Sequence, residues 1–437
     1  MNAESQATGH QNIWMGDVPS HWDVKALKFC ADLVTERVDG SSGSGATYVG
    51  LEHIESKTGR LVRAEGSQDS ADSTVNCFHT GDVLFGKLRP YLAKAAVADT
   101  DGVCSSEILV YRPHGLAAQY LKHVMLLEGF IEEVNSSTYG SKMPRADASF
   151  ISRLAVPQPP IEEQLAIASY LDAETKRIDG LIGEKRRLLT SLIDLKSSRI
   201  SAILTGADEA SVPTGNEWLP MIPRGWALKR LKLLGQVRSG LAKGKKHEAG
   251  VTTVELPYMR VANVQDGYID LSDVTLIEVA ESEVDRYTLQ VGDVLMNEGG
   301  DYDKLGRGAM WEGFIDQCLH QNHVFAVRLD DVEWAPWVAA VTRTSYAKFY
   351  FMNNSKQSTN LASINQTNVK EFPVVVPPAS MRDELLKVLG DELRRIDDLA
   401  QHVERELEVL AELRSSTITD AVLGRIRVPS ATLKAHA

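Results

Sequence analysis

Two loops in the first half of the sequence mix basic side chains with tyrosine. KLRPYLAK (87–94) carries Lys87, Arg89, Tyr91 and Lys94, and TYGSKMPR (138–145) carries Tyr139, Lys142 and Arg145. In the second half, VRSGLAKGKK (237–246) carries Arg238, Lys243, Lys245 and Lys246. NNSKQSTN (353–360) is rich in amides and carries Asn353, Lys356 and Gln357. Lysine, arginine and tyrosine make phosphate contacts, while Arg, Asn and Gln side chains hydrogen-bond base edges. The ordinary alternative for each residue is a solvated loop position. As a set they make candidate contacts to double-stranded DNA. The net charge of −12 over 437 residues argues against gripping nucleic acid through bulk charge alone. Local basic loops, helped by a more positive partner, remain open.

Catalytic chemistry is thinly supported. GLAKGKK (240–246) lacks the spacing and the Ser/Thr of a phosphate loop. The proline pairs in VPQPPI and VVPPAS lack the Asn/Asp and aromatic neighbours that an amino-methyltransferase motif needs, and they read as strand-to-helix stops. Asp82 and Asp293, each in GDVL, raise a metal reading, but no second acid recurs at a matched spacing; a turn Asp before a buried strand is the simpler reading. No HxxxH or CxxC occurs. The four cysteines are scattered, as reduced thiols in a cytoplasmic protein are. The expectation is no catalytic residue, no metal site and no cofactor in this chain. No signal-like start and no membrane-length apolar run is seen, so the expected location is the cytoplasm.

The elements that must position these loops occur twice. LKSSRISAILTG (195–206) returns as LRSSTITDAVLG (413–424). VPSHWDVKALK (18–28) parallels IPRGWALKRLK (222–232), with Trp22 matching Trp226. GDVL recurs at 81 and 292, EILVYR (107–112) matches HVFAVR (323–328), AVPQPP (155–160) matches VVVPP (374–378), and RID recurs at 177 and 395. Matches kept in one order indicate a tandem duplication. Each copy begins with short apolar runs that read as strands: TYVGLEHI, DVLFGKL, KAAVAD, ILVYRP and ISRLAVPQ in the first, PYMRVANV, VTLIEV, DVLMNE, HVFAVRL and EFPVVVP in the second. One amphipathic helical segment interrupts each set, near 117–135 and 335–353. Each copy ends in one long helix, from about Ile161 to Thr205 and to about Leu423, with Ser380 and Asp383 resembling a capping box at the second start. Gly206 and Gly424 sit where a left-handed C-cap is wanted. Leu171, Ile178, Ile182, Leu189 and Leu192 in the first helix, and Leu389, Leu393, Ile396, Val403, Leu407 and Leu410 in the second, alternate spacings of three and four. That is a coiled-coil seam, loosened in the first helix by Thr175 and Lys185. The expected fold is mixed α+β: two similar heads, 1–157 and 212–376, joined by helices at 158–211 and 377–428 in an antiparallel, pseudo-two-fold coiled coil, with a tail at 429–437.

This order resembles the specificity subunit of type I restriction–modification systems. PPIEEQLAIASYLD (159–172) resembles that family's entry to its central helix. YVGLEHI, GDVLFGKLRPYLAK, PYMRVANVQDGYID and GDVLMNEGGDYDKLGRGAMW resemble stretches of its target-recognition domains. PPASMRDELLKVLG (377–390) departs from it, lacking the acid–Gln pair after the prolines. The resemblance implies a subunit without a catalytic centre, which reads a bipartite DNA target with one half-site per head. It further implies recruitment of two methyltransferase subunits, with motor-nuclease restriction subunits joining through them. S-adenosylmethionine, ATP and Mg would then act on those partners. The competing reading is a non-catalytic adaptor with two protein-binding heads.

Overall fold

The computed structural model describes residues 14–39, 47–62, 74–140, 142–207, 210–244, 250–300, 302–357 and 362–429. The chain divides into two compact units, Met1–Lys185 with Arg405–Ala437, and Arg186–Glu404. The first long helix, Ile161–Thr205, and the second, Ala379–Val422, each pass through both.

In the first unit, the head is closed by its own ends: Asp23–Ala26 pairs antiparallel with Ala155–Gln158. Its central sheet orders Ala31–Val34, Ile108–Pro113, Val83–Gly86 and Ala95–Val97, all antiparallel. All four residues of Val83–Gly86 are buried, as its unbroken apolar run requires of a strand covered on both faces. A second sheet orders Arg37–Asp39, Thr74–Phe78, Gly102–Ser105 and Thr47–Val49, the last pair parallel. The core joins Trp22, Phe85, Tyr111, Tyr120 and Phe130 to Leu171 of the first long helix and Ile418 and Val422 of the second.

The second unit repeats this plan. Ala227–Arg230 pairs with Pro373–Val376, and Gly235–Ser239, Val324–Leu329, Val294–Asn297 and Gly308–Met310 form the same antiparallel sheet. Thr253–Met259 pairs parallel with Leu319–His320, as Thr47–Val49 does with Gly102–Ser105. The copies differ in the extra strand, since Thr275–Ala280 joins the opposite edge, beside Thr253–Met259. Trp226 and Trp337 pack here with Ile200 and Leu204 of the first long helix and Leu389 of the second.

Each expected amphipathic helix is two helices. Ala118–Leu126 and Glu128–Ser136 are separated by an extended Leu127, and Ala335–Val341 and Ser345–Asn353 by an extended Thr344 whose hydroxyl caps Ala347. The run ISRL is also not strand. Asp147 accepts from the Phe150 amide and starts the helix Ala148–Arg153, and only Ala155–Gln158 is extended. Asn365 caps Gln366–Glu371 in the same way before Pro373–Val376.

The long helices are antiparallel within each unit. Asp179 meets Arg414 and Lys185 meets Glu406 in the first; Lys196 meets Asp397 and Arg199 meets Glu392 in the second. Leu171, Ile178, Leu192, Leu389, Ile396 and Val403 are buried, and Ile182, Leu189, Leu393, Leu407 and Leu410 are half-buried. Thr175 satisfies its hydroxyl on the Leu171 carbonyl. Lys185 lies at the flank, its ammonium 2.6 Å from Glu406, so it is an interhelical ion pair and not a gap in the seam.

The expected capping box at the second helix is absent. Ser380 lies inside the helix, and Asp383 binds Arg382. Arg382 also reaches Glu333 and lies over the Trp334 ring, 5.0 Å from its centroid. In the first copy Gln164 holds the matching place, accepting from the Ala117 amide and donating to the Pro159 carbonyl. The departure after the second proline pair therefore replaces an amide dock by a guanidinium dock.

Candidate nucleic-acid interface

Both heads cross their loops on one backbone frame. In the first head, Lys87 follows the strand Val83–Gly86. Its amide donates to the Glu107 carbonyl at 3.0 Å and its carbonyl accepts from Ala146 at 2.9 Å. In the second, Glu298 follows Val294–Asn297, donating to the His323 carbonyl at 2.9 Å and accepting from Ile364 at 2.8 Å. Loops that share no residue pattern, KLRPYLAK and NEGGDYDKL, thus occupy the same place in the chain path.

The first crossing unites the two tyrosine-bearing loops. Tyr139 and Arg145 exchange backbone hydrogen bonds, and the Arg89 amide donates to the Pro144 carbonyl at 2.8 Å. Arg89 and Ala93 hold positive φ, 51° and 48°, on either side of the turn Pro90–Leu92. Such non-glycine backbone costs of order 1–3 kcal/mol and persists only where its surroundings over-determine it. The turn presents Arg89 and a half-exposed Tyr91; Tyr139, Lys142 and Met143 stand beside them, exposed.

Two of the expected contacts there are engaged within the protein. Arg145 makes a two-pronged pair with Glu107, at 2.9 and 2.8 Å to Oε1, which holds its guanidinium protonated more firmly than usual. Lys94 donates its ammonium to the Leu51 carbonyl at 2.6 Å. These two side chains fasten the surface, while Lys87, Arg89 and Lys142 carry the charge it offers.

In the second head, Gly299–Gly300 pairs with Ala362–Ser363, which pairs in turn with Lys356–Gln357. Lys356 and Gln357 are exposed on this ribbon. Asn353 is turned back to the Phe349 carbonyl at 2.8 Å. Arg238 donates to the Arg286 carbonyl; desolvation, then the charge of Arg328, lower its pKa. Lys243 is exposed, and Lys245 and Lys246 lie outside the described residues. The sequence reading missed Tyr302, Lys304 and Arg307, which follow the crossing in the second head; Arg307 donates to Gln265 at 3.1 Å. Their signal was available in GGDYDKLGRG, which holds the place of KLRPYLAK.

Asp82 and Asp293 are structural. Each buried carboxylate takes a two-pronged arginine pair from the adjacent strand: Arg112 at 2.9 and 2.8 Å, Arg328 at 2.8 and 2.6 Å. Each also accepts the amide three residues before it, His79 or Gln290. Among the described residues no cluster of His, Cys, Asp or Glu is arranged to hold a metal ion, and no helix is long and apolar enough to cross a membrane.

Residues 65–189 match the family model of the type I restriction modification DNA specificity domain. Over 334 residues the chain is 24% identical to the type I restriction enzyme EcoKI specificity subunit of Escherichia coli strain K12, covering 74% of this chain and 68% of that one. It is 28% identical to the putative MjaX specificity subunit of Methanocaldococcus jannaschii over 193 residues, 43% of each chain. The MjaIX specificity subunit of the same organism matches at 18% identity over 95% of each chain. Among solved structures, a chain of a type I restriction–modification system superimposes with a TM-score of 0.70 at 18% identity, covering 94% of this chain and all of that one. The HsdS subunit of Thermoanaerobacter tengcongensis gives 0.55 at 18% identity, covering 94% and 98%. A duplicated head-and-helix plan, the matched specificity domain and these relatives agree: residues 65–189 match the type I restriction modification DNA specificity domain, and the chain is similar in sequence and fold to specificity subunits of type I restriction–modification systems.

Proposed function

We propose that this chain reads an asymmetric, bipartite double-stranded DNA target, one half-site with each head, the helical segments setting the unread gap. The observation that carries the reading is the shared backbone crossing with unlike side chains: Lys87, Arg89, Tyr91 and Lys142 in one head, Glu298, Lys356 and Gln357 in the other. One frame holds two different readers, and base discrimination rests on a few such side chains. The chain itself carries no catalytic group in this reading. It recruits two methyltransferase subunits, and restriction subunits join through them. S-adenosylmethionine, ATP and Mg act on those partners, in the cytoplasm.

The test is selection from randomised duplexes by the complex of this chain with its methyltransferase subunits. Two unlike half-sites at a fixed separation are expected. A palindrome, or no enrichment with the methyltransferase present, refutes the reading; the latter result favours a protein-binding adaptor.

A further inference from the structure

The twelve-residue repeat places Lys196 and Arg414 at the same position, and the RID repeat does so for Asp179 and Asp397. The structure pairs them crosswise, Arg414 with Asp179 and Lys196 with Asp397. The two pairs are not alike. Lys196 spends its one charge on Asp397, in an exposed pair. Arg414 is largely buried. Its Nε donates to Asp179 at 2.8 Å, and its Nη1 is free to donate to the Lys57 carbonyl at 3.1 Å.

Lys57 sits in the turn Glu55–Arg60 at a φ of 65°, and its amide donates to the Ala93 carbonyl at 2.8 Å. Ala93 closes the turn that presents Arg89 and Tyr91. One line of hydrogen bonds therefore runs from the helix pair, through Arg414 and Lys57, to the strained turn. Among the described residues, three of the four non-glycine ones with positive φ, Lys57, Arg89 and Ala93, stand along it. Strained backbone survives where neighbours hold it, and Arg414 is the holder that reaches both helices and the turn.

We propose that Arg414 is a positioning residue for base reading by the first head, setting the aim of the Arg89–Tyr91 turn through Lys57; this rests on the DNA-reading function proposed above. Arg414→Lys is the discriminating variant. The second copy shows that a lysine at this position keeps the interhelical ion pair, while a single ammonium lacks the fork that also reaches Lys57.

The experiment is duplex selection with the full complex, comparing wild type, Arg414→Lys, Lys196→Arg and Arg89→Ala, each with its melting temperature. In Arg414→Lys, base preference in one half-site is expected to fall about tenfold, as remote couplings of this kind do. The other half-site and the melting temperature stay unchanged. The affected half-site is the one altered by Arg89→Ala, and Lys196→Arg alters neither. Both half-sites unchanged, both degraded, or a change in the half-site that Arg89→Ala leaves intact overturns the proposal. Failure of wild type to select any bipartite site would instead reject the function on which it rests.

Discussion

His123 and His320 are buried rings whose environments disfavour a proton. Desolvation dominates at each. It outweighs the opposing hydrogen bond that His123 donates to Asp172 and His320 to the Val324 carbonyl, and pushes both pKa values down to about 4. In the unfolded chain a histidine titrates near 6.5. Between those values the unfolded state binds more protons than the folded one, so stability falls as pH drops through that window. Urea unfolding at pH 7, 6, 5.5 and 5 should show midpoints declining with pH. His320→Gln should remove part of the slope whatever its effect at pH 7. A slope unchanged in the variant would show that His320 does not stay neutral in the fold. No pattern around either residue in the sequence announced this, because the burial comes from tertiary packing. The same holds for Arg145. Its type and loop were readable, but its partner Glu107 lies far back in the chain, in the turn between Gly102–Ser105 and Ile108–Pro113, so a residue taken as a free cation is a fastening. Asp82 and Asp293 show the converse: their repetition in GDVL signalled importance, and only the facing Arg112 and Arg328 show that the importance is structural.

At the scale of elements, the long helices were legible end to end, because a repeat of three and four residues survives any tertiary context. The repeated final glycine has a packing reason beyond its positive φ. A Cβ on Gly206 would lie 2.2 Å from Cγ of Pro223, and one on Gly424 2.5 Å from Cγ of Pro19 and 2.8 Å from the Trp22 ring. Each helix thus ends in a seat made by the Pro-x-x-Trp segment of a head, Pro19 to Trp22 or Pro223 to Trp226. Gly206→Ala combines that clash with a backbone conformation alanine disfavours, and should cost about 2 kcal/mol. Ala202→Gly, one turn earlier, should cost about 1 kcal/mol. Equal losses in denaturant titrations would remove the seat from the argument. The paired short helices were misread as single ones because their apolar faces run on across Leu127 and Thr344, and ISRL was misread because so short a segment, apolar only at Ile151 and Leu154, fits strand or helix equally.

At the scale of the molecule, the duplication makes half the chain a testable object. Residues 1–211 expose one stripe of the first helix, including Leu171, Ile178, Ile182, Leu189 and Leu192. A second copy of that helix is the nearest substitute for its lost partner. Light scattering should report a dimer, and with methyltransferase present its target should become a palindrome of one half-site. Lys185 loses Glu406 in that dimer, so Lys185→Leu should tighten it. A folded monomer that still reads the asymmetric site would contradict both the pairing and the two-head reading.

The twin seats also bear on covalent order. The first helix finishes against Pro223 and Trp226, to which the chain leads directly, whereas the second finishes against Pro19 and Trp22 with no peptide link between them. Arg425 nonetheless reaches the Met15 carbonyl at 3.5 Å, across the gap between the chain's two ends. The backbone bond at one seat is thus dispensable at the other. A circularly permuted chain, cut between residues 207 and 216 and joined by a short linker from 428 to 14, should keep every contact that holds a helix end to a head. It should fold, assemble and select the same DNA as the original, the two seats having merely exchanged which one is tethered.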